Sequence, residues 1–195
     1  MVNDMNYEKY RAIIREKLDD FRYNHSLCVA KEAHRLAEMY GADSEKAYLA
    51  GLLHDITKNY TENEHLNLFS RFDIILSDIE KKSSKLWHAI SGACYCEKEL
   101  CITDIELISA IRYHTTARKG MSLFEKIIYL ADYTSADRDY SDVYVMRKLV
   151  DEDISKAMLY ALSYTINDLN ERKLCVHPDT LEAYNEFAII VKQRR

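Results

Sequence analysis

The sequence predicts an all-α chain, and three observations carry that reading. Four glycines and one proline in 195 residues leave few of the breakers that end helices. Apolar residues recur at spacings of three and four along almost every segment, which is the period of an amphipathic helix. No run of four or more residues alternates as a half-buried strand would. With 48% hydrophobic and 30% charged residues, the chain has globular composition and can bury its own core. No internal repeat, low-complexity linker or shift in composition divides it, so 1–195 reads as one domain.

The elements follow in order. Tyr7 to Phe21 reads as a first helix, and Asn24 can cap a second that runs to Tyr40 and stops at Gly41. Asp43 and Glu45 place acid at the start of a third, striped by Ala47, Ala50, Gly51 and His54. Thr103 and Glu106 have capping-box spacing ahead of Leu107, Ala110, Ile111 and His114. Ser122 and Glu125 repeat that signature around Phe124, Ile127, Ile128 and Ala131. Asp153 to Glu171 is a long helix, and Pro178 suits the first turn of a last one through Val191.

Several function classes fall away. No apolar run reaches the ~20 residues of a membrane span, and the segment MVNDMNYEKYRAIIREK lacks the apolar centre of a secretory signal. A net charge of -5 argues against a broad nucleic-acid surface. Five cysteines, an odd count, point to reduced thiols in the cytoplasm.

Chemistry concentrates on three helices that carry a metal-ligand side chain near the C-terminal end of a buried stripe. His54 continues the row of Ala47, Ala50 and Gly51, and His114 continues Leu107, Ala110 and Ile111. Asp132 lies four and eight residues after Ile128 and Phe124, hence on the same face. An unpartnered buried carboxylate costs several kcal/mol, and no basic residue stands three or four positions from Asp132 on its helix. A cation would relieve all three positions together. A single histidine on an apolar stripe is more often a hydrogen-bonded core residue, and three coincident stripes with the dipeptide His54-Asp55 shift the balance towards metal. Adjacent helical residues point ~100° apart, so His54 and Asp55 can share an ion only beside a helix end. Periodicity alone leaves both readings open.

The ordered set His25 in RYNHSLCVA, His54-Asp55 in AGLLHDITK, His88 in WHAISGA, His114 in AIRYHTTAR, Asp132 in EKIIYLADYTSADR and the late VHPDTLEAYN resembles the HD superfamily of metal-dependent phosphohydrolases. The resemblance is nearest to its YqeK-type branch of symmetrical diadenosine tetraphosphate hydrolases and runs from about residue 22 to 185. It implies a helical HD-type bundle that cleaves a dinucleoside polyphosphate and releases ADP. It further implies His25, His54, Asp55 and Asp132 as the shell of a divalent transition metal, iron first, with manganese, cobalt or zinc admissible and one or two ions held. His88 and His114 would face phosphates or a second ion, and Thr115 and His177 belong to motifs that would contact substrate. A homodimer is compatible with it. Mixed imidazole and carboxylate donors suit these metals better than calcium or copper. Asp55 can orient the attacking water, Lys58 can neutralise phosphate charge, and Arg138 offers a planar fork. His88 or His114, if protonated, would stabilise the transferred phosphoryl group. Arg118-Lys119 would extend the cationic patch. Two departures stand nearby: Ser135-Ala136 where the branch commonly has Glu-Pro, which predicts a looser loop, and Ala117 where glycine is common.

The remaining features read as structure. His34 and His65 are expected at the surface, and Cys94, Cys96 and Cys101 as small buried hydrophobes rather than a metal cluster. Lys81-Lys82 and Arg194-Arg195 read as solvated charge. His177 before Pro178 serves equally as a helix entry or a nucleotide contact, and one of fifteen tyrosines is available to stack on a purine. Two other functions compete: an HD-type phosphohydrolase of a nucleoside monophosphate or an alarmone, and a nucleotide sensor without turnover. The metal ligands argue against the sensor; the generic chemistry of such a centre leaves the other enzyme open.

Overall fold

A computed structural model describes residues 7–194, and every regular element among them is helical. Helix α1 (Tyr7–Lys17) ends sooner than the pattern suggests, and α2 (Asp20–Tyr40) begins sooner. The boundary falls at Asp19, whose carboxylate accepts from the Arg22 N–H at 2.8 Å. An earlier carboxylate cap displaces Asn24 into the helix interior. Helix α3 (Ser44–Leu53) starts where Asp43 and Glu45 place acid, with Asp43 as its cap. Next come α4 (Glu62–Arg71), α5 (Asp78–Lys81), a 3-10 turn at Ser84–Leu86 and α6 (Trp87–Lys98). Helix α7 (Ile105–Tyr113) is capped by Asp104, not Thr103, and Glu106 turns instead to Lys46 at 2.7 Å. Helix α8 (Leu123–Thr134) carries the full Ser122/Glu125 capping box. Helices α9 (Val143–Glu152), α10 (Ile154–Glu171) and α11 (Pro178–Gln193) complete the order, with Asp153 capping α10 and His177 capping α11.

The core forms where α2, α3, α7 and α8 meet: Leu52, Leu53, Ile56, Ile111, Ile127, Ile128, Tyr129 and Leu130 have no exposed surface. Gly51 lets α3 lie directly on α2, because a Cβ there would stand 2.8 Å from the Ala30 Cα. A smaller cluster of Leu68, Phe69, Trp87, Ile90 and Cys94 joins α4 to α6. This cluster corrects the placing of His65. It lies on the inner face of α4, buried, with Nδ1 2.8 Å from the Ser91 hydroxyl. His34 is partly exposed between Glu38 and Glu45, in keeping with its expected place. Cys94 and Cys96 are buried, but Cys101 is exposed beyond the end of α6, at φ 55°. Lys81, Lys82 and Arg194 are exposed, and Arg195 lies outside the described residues. No helix among the described residues is long and apolar enough to cross a membrane.

Glycine scarcity shows at the helix ends. The chain after α4 and α10 turns back through Asp73 (φ 53°) and Lys173 (φ 56°), conformations that glycine adopts without strain. Bonds from Ile74 N–H to Phe69 O at 2.9 Å and from Leu174 N–H to Leu169 O at 2.8 Å close these ends. Each non-glycine residue there costs about 1–2 kcal/mol.

Candidate metal centre

Five helices and one turn aim their polar side chains at one buried point. His54 and His114 close α3 and α7 as C-caps, His25 lies in the second turn of α2, His88 opens α6, and Asp132 lies in the last turn of α8. Because α3 ends at His54, Asp55 leaves the helical spacing and its carboxylate can face the same point. That removes the angular difficulty of the adjacent pair. His25 Nε2 lies 2.9 Å from Asp132 Oδ1, and His54 Nε2 lies 3.9 Å from that oxygen and 3.7 Å from Asp55 Oδ2. The other Asp55 oxygen lies 3.2 Å from His88 Nε2 and 3.4 Å from His114 Nε2. Asp55 therefore stands between two donor groups. Three overlapping sets (His25, His54, Asp55; His54, His114, Asp132; Asp55, His88, His114) keep their donor atoms within 4.8 Å of one another.

The donors fit a cation. His54 Nδ1–H donates to Gly51 O and His114 Nδ1–H donates to Ile111 O, each at 2.7 Å, so both Nε2 lone pairs face inward. The buried His54 Nε2 makes no hydrogen bond, and Asp55 Oδ1 has only ion-pair neighbours such as Lys58 at 3.3 Å. A buried lone pair left without a partner, as on His54, is costly unless an ion satisfies it. Nitrogen and carboxylate donors together suit iron, manganese, cobalt or zinc.

Electrostatics follow from burial and charge. Burial pushes the His54 imidazole down to about 3 against the pull of Asp55 and Asp132, and pushes His88 down to about 4 against Asp55. Both rings are therefore neutral near pH 7. Burial opposes the charge on Asp55, yet His54, His114 and His88 hold its carboxyl well below the usual range. Burial likewise opposes Asp132, and His25 and Arg138 outweigh it.

Arg138 is the basic partner that the spacing on α8 does not reveal. It reaches back from beyond the helix end, with Nη2 on Asp132 Oδ1 and Nε donating to Asp132 O at 2.7 Å. The loop that carries it is tied down rather than loose. Arg147 donates to the carbonyls of Thr134 (3.0 Å), Ser135 (2.8 Å) and Arg138 (3.2 Å), doing from α9 what a proline would do locally. Lys58 Nζ lies 3.3 Å from Asp55 Oδ1 and 2.9 Å from His88 Nε2. Arg118 is not part of the cationic patch: Glu125 holds its Nε at 2.8 Å and its Nη2 at 2.9 Å, and neither it nor Lys119 lines the cleft. His177 takes the helix-entry role, its Nδ1 accepting from the Asp179 N–H at 3.2 Å, and does not line the cleft.

The cleft over this centre has two lobes. One, of about 870 Å³, is lined by Arg22, Lys58, Lys85, His88, Arg138 and Arg172, with Glu62, His65 and Asp168 among its other walls. The other, of about 290 Å³, is aromatic, lined by Tyr133, Tyr140 and Tyr164 beside His114 and Asp132. Thr115, Tyr133 and Arg138 belong to both lobes, and the Thr115 hydroxyl is buried without a partner. Sequence reasoning missed Arg22, Lys85, Arg172 and the three tyrosines. Only Tyr133, next to Asp132, carried a local signal.

Comparisons with known proteins agree with this geometry. The family model described as HD domain matches residues 22–137. A symmetrical bis(5'-nucleosyl)-tetraphosphatase of Bacillus subtilis is 36% identical over 93% of this chain and 97% of its own. The enzyme of the same name from Halalkalibacterium halodurans is 38% identical over 95% and 98%. A solved HD superfamily hydrolase from Clostridium acetobutylicum, titled as involved in NAD metabolism, superposes with a TM-score of 0.91 at 36% identity, covering 97% of this chain and 98% of that one. The motif that gives the family its name stands here as His54-Asp55, where one carboxylate serves both donor groups, and the chain belongs to the HD family.

Proposed function

We propose that this chain is a metal-dependent phosphohydrolase that cleaves diadenosine tetraphosphate symmetrically into two ADP. One observation supports this reading above the others: a donor cluster with a cationic lobe and an aromatic lobe meeting over it, as a long polyphosphate carrying a base at each end requires. The relatives named as symmetrical tetraphosphatases cover nearly the full chain and support the same substrate.

We assign His25, His54, Asp55 and Asp132 as ligands of one divalent ion, iron first, and Asp55, His88 and His114 as the frame for a second. Such an ion, when bound, lowers the pKa of water towards ~7 and draws charge from a phosphoryl oxygen. The protein's own groups do the rest. Lys58 neutralises phosphate charge beside the donors, and the unpartnered Thr115 hydroxyl donates to a phosphate oxygen. Tyr140 and Tyr164, with ring centroids 5.4 Å apart, offer an adenine an aromatic wall. Water attacks an inner phosphorus, its oxygen stays on that phosphorus, and the bond to the bridging oxygen breaks so that the second ADP leaves. Five free thiols suit the reducing cytoplasm.

The test is hydrolysis in water labelled with heavy oxygen, followed by product chromatography. Two ADP, with one label on a terminal phosphate, is the expected result. Equal ATP and AMP would refute symmetrical attack. Tight ADP binding without cleavage would favour a sensor, and faster turnover of a nucleoside monophosphate or an alarmone would favour the other enzyme.

A further inference from the structure

The histidines of the centre meet the problem of ring orientation in two ways. His54 and His114 sit at helix C-caps, where the carbonyl three residues earlier is released from the helical ladder. Each ring donates Nδ1–H to that carbonyl, Gly51 O or Ile111 O, and so is oriented by its own helix. His25 has no such option. It lies inside α2, where the neighbouring carbonyls accept from the ladder. Its Nδ1 instead meets Asp137 Oδ2 at 2.7 Å, a contact across 112 residues of sequence.

We propose that Asp137 is the positioning residue of this centre, a carboxylate that fixes the ring of His25 and keeps Nε2 directed at the metal donors. The inference rests on the reading of the cluster as a metal site. Two further contacts carry it. Asp137 stands on the loop that Arg147 ties to α9 through three carbonyls, so the carboxylate has a firm base. The next residue, Arg138, holds Asp132, so two successive side chains set the two donors that lie 2.9 Å apart. A carboxylate behind a ligating imidazole fixes its tautomer and raises its basicity, which a backbone carbonyl does more weakly. Of these three rings, His25 is the one whose orientation rests on a replaceable side chain.

Asp137→Ala should lower Zn²⁺ affinity by about 10–100-fold in chelator competition. With histidine labelled in ¹⁵N, the His25 Nδ1–H resonance should be lost, while those of His54 and His114 persist because their acceptors are backbone. Asp137→Asn keeps an acceptor oxygen without the charge and should recover part of the affinity; it also carries the test if the alanine variant does not fold. Unchanged affinity with an unchanged His25 resonance would overturn the proposal, as would loss of all three resonances together, which would mark general disruption. The metal reading fails separately. If His54→Ala binds Zn²⁺ as tightly as the parent chain, the cluster is no metal site, and the His25 resonance in the metal-free protein still decides whether Asp137 holds the ring.

Discussion

Replacing Gly51 with alanine tests the helix contact on which the centre rests. The added Cβ would stand 2.8 Å from Ala30 Cα, and 3.0 Å from both Ala30 N and Val29 O. Carbon atoms rest about 3.5–4.0 Å apart, so α3 must withdraw from α2 by about 1 Å. All three of these nearest atoms are backbone, so no side-chain rotation clears them. Overpacking of this kind costs about 1–3 kcal/mol, while alanine gains at most about 1 kcal/mol of helix propensity over glycine. With the full propensity gain, a net loss of up to about 2 kcal/mol follows, which for a chain of this size lowers Tm by up to about 8 °C.

The same displacement reaches the donors. His54 hangs from the Gly51 carbonyl at 2.7 Å, and His25 rides on α2 one turn before Val29. Ligand sets tolerate errors of about 0.5 Å, so the withdrawal should also weaken Zn²⁺ binding at least tenfold. Thermal denaturation followed by circular dichroism, with chelator competition on the same variant, measures both effects. Propensity alone dictates a rise in Tm for Gly51→Ala. A rise would refute the close approach and the argument built on it.

Four other outcomes are expected. Lys173→Gly relieves a left-handed residue at the end of α10 and should stabilise the protein by about 0.5–1 kcal/mol after the entropy of the more flexible unfolded chain, read as a higher denaturant midpoint at constant slope. Burial opposes the charge on Glu80, but Ser77 and Arg112 hold its carboxyl below the ordinary value. Its folded pKa lies under the unfolded one, so its stabilisation is present above pH ~4.5 and is lost as pH falls through the folded value. Glu80→Gln should accordingly lose less Tm than the parent between about pH 6 and pH 3; an equal loss would show that the pair contributes nothing. Stripping divalent ions with a chelator should abolish turnover and lower Tm while the helical signal persists, since an ion at 100 times its Kd contributes about 2.7 kcal/mol; full turnover in chelator would exclude metal dependence. Asp55→Ala should abolish turnover with the helical spectrum intact, and an unfolded variant would make Asp55 structural.

Much of this was legible along single helices. The Ser122/Glu125 box, the acid that Asp43 places at the start of α3 and the stripes ending at His54, His114 and Asp132 are local features, which sequence displays directly. The glycine-free ends at Asp73 and Lys173 were not legible, because their left-handed turn is imposed by closing bonds and not by residue type. His65 reads as a surface residue until Trp87 and Ser91 of α6 are brought against it. The partners of Asp132 and His25 escaped for the same reason. Arg138 lies beyond the end of α8, and Asp137 is 112 residues from the ring it holds. Periodicity locates donors; it does not locate what orients them.

Charge shows the same division between chain and site. A net charge of -5 should repel a polyphosphate carrying about four negative charges, yet that field is screened over about 8 Å at physiological salt. Inside the cleft the nearest groups decide. Arg118, which the sequence places among the cations, is withdrawn by Glu125, while Arg22, Lys85 and Arg172 join Lys58 and Arg138 on the walls. Glu62 and Asp168 share that lining, and Arg172 pairs with Asp168 at 2.9 Å, so the cationic excess is modest without a divalent ion. On the proposed reading, phosphate binding and metal binding are coupled through one small volume: an ion held at the Asp55 and Asp132 carboxylates would offset two charges that oppose the substrate.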